Sequence, residues 1–86
     1  MKTKLLLLED DLTLSETVID YFEEQGFDVL PAYDGQEAIE LVYENSFDLL
    51  LLDVNVPELN GFEVLQKIRQ EENNTPAIFI TSLNSM

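Results

Sequence analysis

Two runs of four leucines, each followed directly by acidic residues, constrain the fold of this chain most strongly. The first run, residues 5–8, precedes the acidic residues 9–11, and the second, residues 49–52, precedes Asp53. A short, continuous apolar run indicates a strand buried on both faces, as in a parallel sheet. We therefore expect both acidic groups at the carboxyl ends of buried strands, the edge at which open α/β sheets bind ligands.

The rest of the chain alternates predicted helices with predicted strands. In chain order, the predicted elements are a strand over 4–8, a helix closing at Gly26, a strand over 27–30, a helix opening with a capping box at Asp34 and Glu37, a strand over 49–52, a helix from Phe62 to about Gln70, and a strand over 76–81. This βαβαβαβ order predicts one α/β domain over residues 1–86 with an open parallel sheet.

The position of Pro31 suggests the strand order. Because proline is confined to sheet edges, the second strand should lie at one edge, which gives the order 2-1-3-4. The first and third strands are then neighbours at the topological switch point, with both acidic groups beside it.

Right-handed crossovers place the first helix on one face of this sheet and the other two on the opposite face. The third and fourth strands then expose part of an apolar face to water, which usually indicates a partner or a missing cover. We expect Leu14 and Val18 of the first helix, and Phe62, Leu65 and Ile68 of the third, to pack in the core.

Charge and composition exclude several classes of function. The 86 residues include 18 acidic and 4 basic ones, and a net charge of -14 disfavours binding to nucleic acid or anionic lipid. The absence of cysteine and histidine excludes disulfides, thiolate metal sites, imidazole bases and zinc sites of the usual kind. No apolar stretch is long enough for a signal peptide or a membrane span, so we expect a cytoplasmic protein.

Several motifs together resemble the receiver domain of two-component response regulators. They are the acidic pair Glu9 and Asp10, the lone Asp53, the loop from Pro57 to Gly61, and the strand ending at Thr81. The similarity runs in order from Lys4 to Ser82.

The resemblance implies a role for each matching residue. Asp53 matches the aspartate that accepts a phosphoryl group, and Thr81 matches the hydroxyl that contacts the acyl phosphate. Glu9, Asp10 and Asp53, with the backbone carbonyl of Asn55, match the ligands of Mg2+. The partner would be a sensor histidine kinase or a phosphotransfer domain, and the chain would be a signalling acceptor rather than a conventional enzyme.

The chain departs from the family pattern after the fourth strand. Family receivers continue with a fourth helix, a fifth strand that carries a lysine, and a fifth helix, none of which has a counterpart here. We therefore expect an incomplete receiver that binds Mg2+ weakly and is phosphorylated poorly. The alternative is a phosphorylation-incompetent module that interacts with a partner, or forms a homodimer through the uncovered sheet face or by element swapping.

Two other functions share the expected topology. A flavodoxin-like FMN binder needs hydroxyls and amides in its phosphate loop, whereas this loop is acidic. A haloacid-dehalogenase-type phosphatase would carry a second acid two residues after its nucleophile, where this chain has Asn55.

Overall fold

A four-stranded parallel sheet with three crossover helices forms the fold. The structure, a computed structural model, describes residues 2–80. Its elements are β1 (Lys4–Leu8), α1 (Leu12–Glu24), β2 (Asp28–Ala32), α2 (Gly35–Glu44), β3 (Leu49–Asp53), α3 (Gly61–Gln70) and β4 (Ala77–Ile80). All paired strands are parallel and their order is β2-β1-β3-β4, which confirms the predicted fold class and the order 2-1-3-4.

Alternate leucines of the central strands pack on opposite faces of the sheet. Leu6 and Leu8 of β1, with Leu50 and Leu52 of β3, contact α2 and α3. Leu5, Leu7 and Leu51 point to the other face, where Val18, Ile19 and Phe22 of α1 pack against them. Such alternation follows from the two-residue repeat of a strand. The single helix on one face and the pair on the other are therefore as predicted.

The strand β2 continues through Pro31, although the sequence predicts that it ends before that residue. Pro31 lies opposite Leu7 of β1. The Asp28 amide donates to the Thr3 carbonyl at 2.8 Å, so alternate residues of β2 turn their N–H groups toward β1. Pro31 falls on the other alternation, and its missing N–H therefore costs no ladder bond at this sheet edge.

Local signals determine where the helices begin and end. Gly26 follows α1 with φ of 93°, the left-handed conformation that glycine adopts readily, as expected. The Asp34 side chain caps α2, but the Glu37 carboxylate accepts from the Tyr33 amide and leaves the predicted capping box incomplete. A complete box opens α3 instead, because the Asn60 and Glu63 side chains each accept from the other's backbone amide.

The phase of α3 differs from the prediction. Gly61, Val64 and Ile68 are its buried residues, whereas the Phe62 side chain is 53% exposed and packs against Phe79, with ring centroids 4.5 Å apart and ring planes tilted by 52°. The expectation that Phe62 belongs to the core is therefore wrong, because an i, i+3/i+4 stripe through Val64 faces the sheet.

The first helix needs a smaller correction. Leu14 is exposed rather than buried, while Val18 packs in the α1 layer as expected. On the same side of the sheet, Ile78 of β4 is 52% exposed, which confirms that this face is partly uncovered. Among residues 2–80, no helix has the length and apolar character needed to cross a membrane.

We predict that Ile68 and Phe62, two apolar residues of α3, differ sharply in their contribution to stability. Ile68→Ala should lower the free energy of unfolding by about 2–5 kcal/mol, because Ile68 is only 3% exposed and its loss leaves a cavity. Phe62→Ala should cost less than about 1 kcal/mol. Urea unfolding of both variants measures the difference. Equal losses would contradict the helix phase described here.

Candidate functional site

The acidic groups meet at the carboxyl edge of the two central strands. Leu8 of β1 and Leu52 of β3 are the last pair of register partners between these strands. Glu9 directly follows Leu8, and Asp53 directly follows Leu52. One carboxylate oxygen from each of Glu9, Asp10 and Asp53 lies within 4.8 Å of the other two. The structure therefore brings together three of the residues that the sequence singles out.

Burial separates these three carboxylates. Glu9 is 2% exposed and Asp53 is 1% exposed, whereas Asp10 faces solvent. Burying a carboxylate is costly unless it is hydrogen-bonded or paired with a cation. Two buried acids in contact therefore require backbone donors, a proton or a bound cation.

Backbone amides hold the two buried carboxylates in place. The Asp11 amide donates to Glu9 Oε2 at 3.0 Å, and the Asn55 amide donates to Asp53 Oδ1 at 2.9 Å. Each amide comes from the residue two positions later, as in an Asx-type turn. Asp11 itself caps α1 by accepting from the Leu14 amide at 3.1 Å.

A glycine lets α3 approach the end of β3 closely. A Cβ atom at Gly61 would lie 2.6 Å from the Asp53 carbonyl oxygen, closer than side-chain carbons pack. Gly61 therefore fixes the distance between the start of α3 and Asp53. In the sequence, Gly61 is visible only as the last residue of the loop that begins at Pro57, and its position just after the helix cap Asn60 is the signal of this role.

Asn55 and Thr81, the other two predicted site residues, do not belong to the group of three carboxylates. Asn55 is exposed in the loop after β3, and its amide already contacts Asp53. Thr81 lies outside the described residues. Its neighbour Ile80 is the register partner of Asp53, and the Ile80 carbonyl accepts from the Val54 amide at 3.1 Å.

The electrostatic environment of the site is strongly negative. Burial, together with hydrogen bonding and repulsion from Asp53, raises the pKa of Glu9 from 4.5 to about 7, although the Asp11 amide opposes this rise. The four basic residues of the chain lie elsewhere. Lys2 and Lys4 are at the start of β1, and Lys67 and Arg69 are in the last turn of α3, which runs back toward the opposite sheet edge.

The donor set fits a hard divalent cation. Three carboxylates provide oxygen ligands of the kind that Mg2+ prefers, and two of them are already oriented by amides. A doubly charged ion would also offset the burial cost and the repulsion from Asp53 that together raise the pKa of Glu9.

Comparison with protein families identifies the group to which this arrangement belongs. The response regulator receiver domain matches residues 5–86. The chain belongs to the response regulator receiver domain family. Its parallel sheet, its strand order and its acidic carboxyl edge agree with that membership.

Curated relatives and solved structures support the assignment. The transcriptional regulatory protein CrdR of Helicobacter pylori is 46% identical over 84 residues, which are 96% of this chain and 39% of CrdR. CpxR of Escherichia coli is 42% identical over 82 residues, covering 95% of this chain and 34% of CpxR. This receiver chain therefore spans less than two fifths of either relative.

Two solved structures are similar throughout the receiver chain. The Francisella response regulator 1452 receiver domain has a TM-score of 0.90 at 34% identity, covering 99% of this chain and 70% of that chain. TrrA of Thermotoga maritima, solved in complex with Mg(2+)-BeF, has a TM-score of 0.89 at 27% identity, covering 98% and 72%.

We predict that Glu9 makes stability depend on pH in metal-free buffer. The unfolded chain releases the Glu9 proton near its ordinary pKa of 4.5, whereas the folded chain retains it up to about pH 7. The folded state is therefore favoured at low pH, and the free energy of unfolding should fall as pH rises from about 4.5 to about 7.

Urea unfolding across this pH range measures the effect. Glu9→Gln should flatten the dependence, while Glu16→Gln, which neutralises an exposed acid of α1, should keep it. Identical pH profiles for the wild type and Glu9→Gln would contradict the description of Glu9 as a buried, proton-retaining acid.

Proposed function

We propose that this receiver chain accepts a phosphoryl group on Asp53 within a two-component signalling pathway. The observation that carries the proposal is the group of three carboxylates at the switch point of a receiver fold, with Asp53 at the end of a central strand. The partner is a sensor histidine kinase or a phosphotransfer domain, which supplies the donor histidine that this chain lacks. The chain then acts as a signalling acceptor, not as a conventional enzyme.

Asp53 serves as the nucleophile through one of its carboxylate oxygens. One Asp53 oxygen forms a bond to phosphorus while the bond between phosphorus and the donor nitrogen breaks, and the electron pair returns to that nitrogen. The product is an acyl phosphate. The Asn55 amide supports the proposal, because it holds one carboxylate oxygen and so orients the other.

We propose that Mg2+ is the cofactor, held by the carboxylates of Glu9, Asp10 and Asp53 and by the backbone carbonyl of Asn55. When bound, Mg2+ neutralises charge that the phosphoryl oxygens and the acceptor carboxylate bring together. The all-oxygen donor set supports this choice, as does the Mg(2+)-BeF complex of the similar receiver TrrA. We also propose that the Thr81 hydroxyl contacts the phosphoryl group, because Thr81 directly follows β4 in the sequence.

The net charge and the family relatives also bear on nucleic-acid binding and on cellular location. The relatives are named transcriptional regulators, but a net charge of -14 makes direct contact between this segment and DNA unfavourable. We propose a cytoplasmic location, where a kinase partner and Mg2+ are available. The comparisons do not favour the alternative of a phosphorylation-incompetent interaction module.

Acetyl phosphate and Mg2+ test the proposal directly. The 86-residue chain should gain one phosphoryl group by intact mass, mapped to Asp53, and Asp53→Asn should gain none. The matched control Asp28→Asn, which alters an exposed acid of β2, should behave like the wild type. Labelling that persists in Asp53→Asn would contradict the proposed acceptor.

We expect the reaction to be slow. None of the four basic residues lies at the carboxyl edge, so none of them can make a cationic contact with the phosphoryl group there. Loss of one preorganised contact to a transition state costs about 10²–10³-fold in rate. A rate equal to that of a longer receiver domain would show that this cationic contact is dispensable.

A further inference from the structure

Gly35, the first residue of α2, lies directly against the loop that joins β3 to α3. A Cβ atom at Gly35 would lie 2.5 Å from the carbonyl oxygen of Leu59 and 2.6 Å from its Cβ atom. Non-bonded carbon atoms pack at about 3.5–4.0 Å, so there is no space for a side chain here. Because one of these contacts is to a backbone atom, a rotamer change of Leu59 could not relieve it. A side chain at Gly35 would therefore move the loop itself.

Hydrogen bonds at the start of α2 hold Gly35 in a fixed place. The Asp34 side chain accepts from the Glu37 amide at 2.8 Å, and the Glu37 carboxylate accepts from the Tyr33 amide at 2.7 Å. Gly35 lies within the turn that these two bonds close, and it is buried. The loop residue Leu59 thus packs against a well-anchored part of the fold.

The loop that contacts Gly35, residues 54–60, has a backbone that needs support from its surroundings. Glu58 has a φ of 67°, a left-handed conformation that residues other than glycine adopt at an energetic cost. Contacts on either side of Glu58 hold the loop, because the Val56 side chain is buried in the core and Leu59 packs against α2. The contact with Gly35 is therefore part of what determines the path of this loop.

Asn55 connects this loop to the carboxylate group. Its amide donates to Asp53 Oδ1 at 2.9 Å, and its carbonyl oxygen is the proposed fourth ligand of Mg2+. Asn55 and Leu59 belong to the same short loop, so a displacement at Leu59 changes the position of both backbone groups of Asn55.

We propose that Gly35 is a positioning residue for the metal site, because its lack of a side chain lets α2 hold the loop that carries Asn55. Gly35 provides no ligand of its own and acts through Leu59. The inference rests on the proposed Mg2+ cofactor and deepens it, since it assigns part of the Mg2+ affinity to the packing of α2 against this loop.

Mg2+ titration of the 86-residue chain, followed by NMR, tests this role. Gly35→Ala should raise the dissociation constant for Mg2+ by about tenfold or more, the usual effect of losing a group that orients a metal ligand. The matched control is Gly26→Ala. It strains a backbone with φ of 93° but brings the new Cβ atom within 4 Å of nothing, so it should destabilise the fold and leave Mg2+ affinity unchanged.

A metal-free measurement gives a second readout, which does not depend on the cofactor. In metal-free buffer, the amide signal of Asn55 should move in Gly35→Ala and stay in place in Gly26→Ala, because only the first substitution displaces the loop.

A pair of leucine variants tests the same contact if Gly35→Ala does not fold. Leu59→Ala should loosen the loop and weaken Mg2+ binding. Leu65→Ala removes the same side chain from a half-buried position of α3 that packs on the same core, and it should leave Mg2+ binding unchanged.

The outcomes separate this inference from the proposed cofactor. A folded Gly35→Ala chain with the Mg2+ affinity of the wild type would overturn the role of Gly35, as would equal losses of affinity in Gly35→Ala and Gly26→Ala. For the leucine pair, equal affinities would overturn it. A wild-type chain that binds no Mg2+ would contradict the cofactor instead, and an unmoved Asn55 signal in metal-free Gly35→Ala would then overturn the inference by itself.

Discussion

Repulsion among Glu9, Asp10 and Asp53 is the constraint around which the carboxyl edge of this molecule is organised. Two of these carboxylates are almost completely buried, and the chain places none of its four basic residues beside them. The Asp11 and Asn55 amides compensate part of this cost, and the raised pKa of Glu9 shows that a large part remains. A divalent cation is the ligand that would offset this charge, as proposed above.

The leucine-rich strands make such a site possible. Leucines 5–8 and 50–52 are buried between one helix layer and two helices on the other face, and their register brings Glu9 and Asp53 side by side. Gly61 then sets the approach of α3 to the end of β3. Apolar burial thus stabilises a rigid frame, and the frame holds acids in a position that they would not adopt on their own.

Much of the fold followed from the sequence because its signals are local. Four-leucine runs, Gly26 and the Asp34 cap each indicate an element or its end, and Pro31 indicates the edge from which the strand order follows. Pairing of the acidic groups followed from that order. Asp11 could also be recognised as a helix cap, since its position after a strand and before a helix is a local pattern.

The predictions that failed concern features that depend on tertiary packing rather than on local sequence. The spacing of Phe62, Leu65 and Ile68 predicts a core position for Phe62, but the α3 stripe through Val64 faces the sheet and leaves Phe62 beside Phe79 of β4. The near-complete burial of Glu9 depends on tertiary packing at the sheet edge, which the pattern of residues does not reveal. The Gly61 contact required knowing that α3 starts directly against Asp53.

Titration of the 15N-labelled chain with Mg2+, followed by NMR, tests the central claim most directly. If three carboxylates share one cation, the amide signals of Asp11 and Asn55 should shift together and saturate with one dissociation constant, since each amide bonds to one of these carboxylates. The amides of Glu23 and Glu24 at the far end of α1 should stay in place. Signals at Asp11 and Asn55 that remain unmoved, or that titrate independently, would contradict a shared site.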